Sequence, residues 1–380
     1  MLPLQSKEGM PKMALASQDT SLMVRSHLRE LPPYEPILPY EVLSETLGIP
    51  VEALVKLDAN ENPYGALPAI QQALGQLAYL HIYPDPESRE LRRKLAGYHQ
   101  VPFDNLLAGA GADELIDLIL RVLVDPHDSV INCPPTFGMY AFDALLQDAQ
   151  VINVPRKPDF SLDLPAIISA IEKHQPKLLF LASPNNPDGS QTPLDEIEQL
   201  LAQPVILVLD EAYNEFSGHN TSMIQQVCHY NNLIVLRTFS KWAGLAGLRV
   251  GYGAFPSSLM PFLWKCKQPY NVSVAAAAAA SIALDHQQEL THLGQKIIAE
   301  RERLFALLAE ITWLEPYPSQ TNFILCKVLG KDALELKNQL AQAGILVRHF
   351  NKPGLQAHIR ISVGTPQQSD ILLNRLRSRE

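Results

Sequence analysis

Seven apolar segments recur between residues 105 and 254, near 105–109, 129–132, 150–154, 177–182, 204–209, 233–238 and 248–254, with mostly helical patterns between them. In Pro204-Val-Ile-Leu-Val-Leu209 the apolar residues are consecutive rather than alternate. That pattern belongs to strands buried on both faces, as in a parallel sheet. Strands alternating with helices build a doubly wound α/β domain, here with a mostly parallel seven-stranded sheet flanked by helices. At 380 residues the chain exceeds what one hydrophobic core ordinarily supports, so a second domain is expected. After Pro256 the texture changes. A helical stretch begins at Val274 with six consecutive alanines and runs to about Leu308. A strand over 322–328, a helix over 332–343, strands over 345–350 and 358–363 and a closing helix from Gln367 follow. These form a smaller α+β domain, joined by residues before Leu57. The expected division is an N-terminal arm over 1–34, partly disordered, a large domain over 58–270, and a small domain made of 35–57 with 271–380.

Composition narrows the function classes. Apolar residues at 47% and charged residues at 19% describe a globular enzyme rather than a disordered chain. A net charge of −9 argues against a nucleic-acid surface, and the longest wholly apolar stretch falls far short of a bilayer span. Residues 1–22 lack the apolar core of a secretory signal. Cys133, Cys228, Cys266 and Cys326 are scattered, with no CxxC pair and no metal-type His spacing. They read as reduced thiols of a cytoplasmic protein, and no metal is expected.

The most telling stretch is Thr238-Phe-Ser-Lys-Trp-Ala-Gly-Leu-Ala-Gly-Leu-Arg-Val-Gly-Tyr252. It sets Lys241 just past an apolar strand, beside Ser240 and eight residues before Arg249. A lone lysine at a strand end is ordinarily a surface cation. In this company its amine suits a Schiff base with an aldehyde cofactor, whose phosphate the hydroxyl and guanidinium would hold. About thirty residues upstream the strand over 204–209 runs into Asp210, at the end where open α/β sheets bind ligands. An acid there can simply cap a helix. It also meets what pyridoxal phosphate needs against its ring nitrogen, a carboxylate that keeps the ring protonated and electron-withdrawing. Tyr213, three residues on, is placed to hydrogen-bond the ring hydroxyl.

Two further strand ends carry site candidates. Lys177-Leu-Leu-Phe-Leu-Ala-Ser-Pro-Asn-Asn-Pro-Asp-Gly189 offers the Asn186 amide from a turn set by Pro184, Pro187 and Gly189. In Leu106-Leu-Ala-Gly-Ala-Gly-Ala-Asp-Glu-Leu115 a glycine turn opens a helix, so the backbone amides of Gly111, Ala112 and Asp113 suit an anion. Its spacing is neither a dinucleotide fingerprint nor a P-loop.

In this order the four segments resemble the fold-type I aminotransferases, the aspartate-aminotransferase superfamily of pyridoxal-phosphate enzymes. The likeness runs from about Val24 to the C-terminus. It implies Lys241 as the Schiff-base lysine, Asp210 as the ring-nitrogen acid, Tyr213 and Asn186 as partners of the ring oxygen, and Ser240, Arg249 and the 111–113 amides as the phosphate cup. In Pro134-Pro-Thr-Phe-Gly-Met-Tyr140 it makes Phe137, otherwise a plain core aromatic, the residue stacked on the ring. The family's Asn-Pro-Thr-Gly departs here at Asp188.

Arg348 and Arg360 lie on the two expected strands of the small domain, and a guanidinium is the natural fork for a carboxylate or phosphate. Either could instead serve a structural ion pair. With Asp58-Ala-Asn-Glu-Asn-Pro-Tyr-Gly65 and Pro269-Tyr-Asn-Val272, this pair is most similar to the histidinol-phosphate aminotransferase family. That resemblance implies a transaminase of histidine biosynthesis working with glutamate and 2-oxoglutarate, and a homodimer in which Tyr64 serves the neighbouring subunit's cofactor. It gives Tyr34 to the substrate, although the sequence after Pro36 departs from the family pattern. An aromatic or broad-range aminotransferase, or a threonine-phosphate decarboxylase of the same fold, is the alternative.

Overall fold

The computed structural model describes residues 19–34, 37–218 and 221–378. The chain divides into one unit ending at Tyr34 and another beginning at Glu35. In the first, Asp19 caps a 3-10 turn over Thr20–Met23 and a short helix covers Ser26–Arg29. Residues 1–18 of the expected arm lie outside the described residues.

The second unit holds twelve described strands: β1 (Val55–Leu57), β2 (Leu106–Gly109), β3 (Ser129–Asn132), β4 (Gln150–Asn153), β5 (Leu178–Ala182), β6 (Ile206–Asp210), β7 (Leu233–Thr238), β8 (Gly251–Ala254), β9 (Leu314–Pro316), β10 (Phe323–Val328), β11 (Ile345–His349) and β12 (His358–Ser362). Seven form one sheet in the order β2-β8-β7-β6-β5-β3-β4. Only β8 runs against its neighbours. The unbroken apolar runs have a direct cause. Leu179, Leu181, Leu207, Leu209, Leu233 and Val235 join one core cluster, while Leu178, Phe180, Val208, Ile234 and Leu236 join another. Alternate residues of each strand therefore enter opposite, equally dry layers. Ala182, Asp210 and Leu236 are consecutive register partners, so β5 and β6 end level and β7 runs two residues further, to Thr238.

All seven expected strands of this sheet form. The last is shorter than expected, because Ala246–Leu248 is a 3-10 turn and Arg249 takes a left-handed φ of 52° before β8 starts.

The other five strands form a second sheet, ordered β1-β11-β12-β10-β9. Its helices Ala333–Gln342 and Pro366–Arg377 contribute Leu336, Leu340, Leu372, Leu373 and Leu376 to one core with Ile324, Ile345, Val347, Ile359 and Ile361. The single helix expected from 274 to about 308 is instead two, Val274–Asp285 and Gln287–Ala309, broken at His286. The alanine-rich first helix packs on helices Pro68–Gly75 and Arg89–His99, whereas the second also reaches β9, β10 and the C-terminal helix. Different packing partners on either side of His286 account for the break better than local propensity, since no proline or glycine lies there.

Candidate active site

The adjacent ends of β5, β6 and β7 bring three of the sequence candidates to one edge of the large sheet. Asp210 is the last residue of β6 and is 6% exposed. Its Oδ1 accepts from the Ala212 amide at 3.0 Å and its Oδ2 from the Tyr140 hydroxyl at 2.6 Å. Burial raises its pKa to about 6, and these two hydrogen bonds act in the opposite direction. Lys241 follows β7, half-buried, with Nζ 3.3 Å from the Ala59 carbonyl and 5.9 Å from the Tyr213 ring centroid. Asn186 lies in the turn after β5, and its Oδ1 accepts from Arg360 Nη1 at 2.5 Å.

The loop 58–65 ties these groups to the small sheet. Asn60 is 1% exposed and holds a left-handed φ of 55°. Its Nδ2 donates to the Tyr213 hydroxyl at 3.0 Å. Its backbone N–H donates to Ser362 Oγ, whose own hydroxyl donates to Asn60 Oδ1, and its carbonyl accepts from Asn322 Nδ2. Asn60 thus ties the Tyr213 hydroxyl to Ser362 of β12 and to Asn322, just before β10. Asn60 is not among the candidates that the sequence singles out in this segment. Its only local signal was an Asn beside Asp and Glu in a loop, too common to single out.

Arg360 sits on β12, 5% exposed, and its Nη2 donates to the Asp58 carbonyl at 2.7 Å. Its guanidinium carbon lies 5.1 Å from the Phe323 ring centroid and 5.4 Å from that of Phe350. Arg348 is its register partner on β11, half-buried and 5.8 Å from the Phe350 ring centroid.

A second cluster forms where β2 enters the helix Ala112–Leu123. Gly111 is the N-cap, with φ 88° and no side-chain cap bond, so its turn presents backbone rather than a side chain. A Cβ on Gly111 would lie 2.6 Å from Arg249 Nη2, and one on Gly251 would lie 2.6 Å from the Ala112 nitrogen. Only glycine allows this approach of guanidinium and helix N-terminus. Gly251 pairs with Thr238, whose hydroxyl donates to Ser240 Oγ at 2.9 Å, so Ser240 belongs to the same corner. The donors converging here are the Arg249 guanidinium, a hydroxyl pair and the first amides of a helix, a set that fits a phosphate group. Asp113 contributes its carboxylate as well as its amide, pairing with Arg249 at 2.7 Å.

Phe137 is half-buried and meets the Tyr140 ring edge-on at 5.5 Å. Its loop is stitched to the Asn186 turn by Asn185, which accepts from Thr136 Oγ1 at 2.8 Å and donates to the Pro135 carbonyl at 3.0 Å. Asn185 also donates to Asp188, and Asp188 accepts from the Ser190 amide at 2.9 Å. The departure at Asp188 is thereby explained: a 1%-exposed carboxylate closes the turn with its own hydrogen bonds.

Tyr64 lies apart from this arrangement. Tyr64 is half-buried beside a cavity of about 500 Å³ lined also by Leu67, His292 and Leu293, with Lys296 Nζ 5.9 Å from its ring centroid. Tyr34 belongs to the first unit.

The family described as aminotransferase class I and II matches residues 52–376. The chloroplastic histidinol-phosphate aminotransferase of Nicotiana tabacum is 54% identical over 355 residues, which cover 93% of this chain and 86% of that protein. The histidinol-phosphate aminotransferase of Roseiflexus castenholzii is 48% identical over 363 residues, covering 93% and 97%. Among solved structures, histidinol-phosphate aminotransferase from Sinorhizobium meliloti in complex with pyridoxal-5'-phosphate superposes with a TM-score of 0.84 at 28% identity, covering 99% of this chain and 100% of that one.

Proposed function

The chain belongs to the aminotransferase class I and II family, and we propose that it is a pyridoxal-phosphate transaminase interconverting histidinol phosphate and imidazole-acetol phosphate, with glutamate and 2-oxoglutarate as the amino couple. One observation carries the reading furthest. Three adjacent parallel strands, β5 to β7, end at one edge of the sheet and carry Asn186, Asp210 and Lys241 there, with Arg360 bonded to Asn186.

Pyridoxal 5'-phosphate, when bound, supplies an aldehyde carbon for the substrate amine and a protonated ring that withdraws electrons from the carbon being deprotonated. Gly111, Ala112 and Asp113 amides, Ser240 and Arg249 would hold its phosphate, Phe137 its ring face, Asp210 its ring nitrogen, and Tyr213 with Asn186 its ring oxygen. Lys241 is the covalent anchor. Its Nζ, when free, would take the proton from substrate Cα as general base. Asp210 would hold the proton on the ring nitrogen electrostatically. Arg360 orients the substrate anion, and its bond to Asn186 couples that grip to the ring oxygen's partner. Arg348 beside it extends the anion site, which suits a substrate phosphate in one half-reaction and glutamate's carboxylates in the other.

A homodimer with shared sites is part of the proposal. Tyr79, Leu80, Ile82 and Tyr83 are 52–79% exposed within the loop 79–83, and Tyr83 stacks on the exposed Tyr270 at 4.7 Å. So large an apolar cluster facing water supports an interface there. Tyr34 is assigned to the substrate, and Tyr64 to the partner's cofactor, by resemblance. No helix among the described residues is long and apolar enough to cross a membrane. A cytoplasmic location is proposed on the four free cysteines, and cell fractionation tests it against the chloroplast address of the plant relatives.

Two measurements test the function. Borohydride reduction should fix the cofactor on the peptide holding Lys241; label on another lysine overturns the assignment. Single-turnover spectra with histidinol phosphate, phenylalanine, glutamate and threonine phosphate should show the fastest amino transfer from histidinol phosphate. Preference for phenylalanine, or carbon dioxide release from threonine phosphate, would replace the substrate reading.

A further inference from the structure

Tyr140 lies at the start of the helix Met139–Leu146 and is 1% exposed. Its ring is stacked on Phe180 of β5 at 5.1 Å with 9° between planes, and Phe137 meets it edge-on at 5.5 Å. Held on two sides, the ring has little freedom, and its hydroxyl donates to Asp210 Oδ2 at 2.6 Å. The other carboxylate oxygen is bonded to the Ala212 amide, within Asp210's own turn. Rotation of the carboxylate is thus set by one local bond and one bond from another element. The ionisable groups acting on Asp210 pull in different directions. Asp113, on the helix Ala112–Leu123, and Glu211, next along its own turn, disfavour its charge, while the Tyr140 hydroxyl favours it. Lys241 and Tyr213 stand on the same sheet edge.

We propose that Tyr140 is a positioning residue for the transamination, acting through Asp210: its hydroxyl fixes the carboxylate's rotation and keeps it a hydrogen-bonded anion turned toward the cofactor ring. The inference rests on Asp210 being the ring-nitrogen acid. Burial in a dry site makes each donor to an anion count, and no reorganisation is then needed when charge develops on the ring. Tyr140 remains a donor throughout, because burial and the neighbouring Asp210 charge hold its own ionisation well above the ordinary tyrosine range.

The test compares holoenzymes of wild type, Tyr140→Phe, Asp210→Asn and the double variant, using whichever amino donor the wild type turns over. Tyr140→Phe removes one oxygen and keeps both ring contacts. It should lower kcat roughly tenfold with KM nearly unchanged, as expected for losing one hydrogen bond to a buried charge. The acid limb of its kcat–pH profile should move to higher pH, because a carboxylate that loses a donor is harder to ionise. In the Asp210→Asn background the same change should cost little more, since the two residues act as a unit. An unchanged kcat and acid limb, or a full additional loss in the double variant, overturns the proposal. Wild-type rate in Asp210→Asn overturns instead the assignment beneath it.

Discussion

Arg348 and Arg360 stand directly opposite each other on β11 and β12, with the Phe350 ring within 5.8 Å of both guanidinium carbons. Cross-strand partners leave the same face of a sheet, so two like charges are held side by side. Such a pair is unfavourable until an anion bridges it. The two differ in anchoring: Arg360 is buried and bonded to Asn186 and the Asp58 carbonyl, while Arg348 is half-buried. Arg360→Ala should therefore weaken kcat/KM for glutamate and histidinol phosphate together, on the order of 2–5 kcal/mol for a desolvated anion contact. Arg348→Ala should hurt the phosphorylated substrate more than phenylalanine. Steady-state kinetics with the three donors decides this, and equal losses for all donors in Arg348→Ala would remove its phosphate role.

Asp143 lies one helical turn beyond Tyr140, 5% exposed, and burial together with Asp117 and Asp113 pushes its pKa up to about 7. Asp210 is raised to about 6. A carboxyl whose folded pKa lies above its unfolded value binds more protons in the folded state, so stability falls as pH rises between the two values. The window runs from about 4 to about 7, where the apoprotein should lose stability. Asp143→Asn should raise the apoprotein's Tm at pH 8 and leave it nearly unchanged at pH 4. Thermal melts at both pH values check this, and a gain at pH 4 alone would contradict the sign.

Continuous apolar runs made the large sheet legible, because the central strands β5, β6 and β7 are covered on both faces and most of their residues are apolar. β1 and β9 were not legible as strands, since three residues carry no period. The break at His286 came from packing, which no local residue announces. Among the candidate site residues, Lys241, Asp210, Asn186 and Tyr213 were legible because each lies at or just past a strand end. Tyr140 and Asn60 could not: one looks like a helical aromatic, the other like a loop amide, and only the folded chain brings both to the site.

Beneath the Asp210–Tyr213 turn, Arg237 is 4% exposed and bonds Glu211 at 2.9 Å, Glu215 at 2.8 Å, Ser222 at 2.8 Å and Asn214 at 3.1 Å. Glu211 accepts further from Ser222 and the Met223 amide. Arg237→Ala leaves two buried carboxylates without their counter-charge, which costs about 3–5 kcal/mol in comparable pairs. Urea unfolding of the variant should show that loss, with a smaller one for Glu215→Gln, which keeps the Glu211 bond. A near-neutral Arg237→Ala would mean that the carboxylates are protonated or relaxed into water.

The last prediction concerns Tyr64, whose ring sits beside Leu67 and the helix Gln287–Ala309 rather than among the Lys241 contacts. Its loop is locked in place: Asn62 donates to the Trp242 carbonyl at 2.9 Å, and a Cβ on Gly244 would strike the Gly65 backbone. The turn carrying Tyr64 therefore moves with the segment after Lys241 but does not bring the ring to it. In a symmetric dimer, such a residue can complete the neighbour's site. Lys241→Ala and Tyr64→Ala should each be nearly inactive as homodimers. After random subunit exchange, half the dimers are mixed, and one of the two sites in each mixed dimer carries both native residues. Activity should then recover to roughly a quarter of wild-type sites. A mixture no more active than its parts, or a monomer at working concentration by sedimentation, would place Tyr64 within its own chain's function or outside the site.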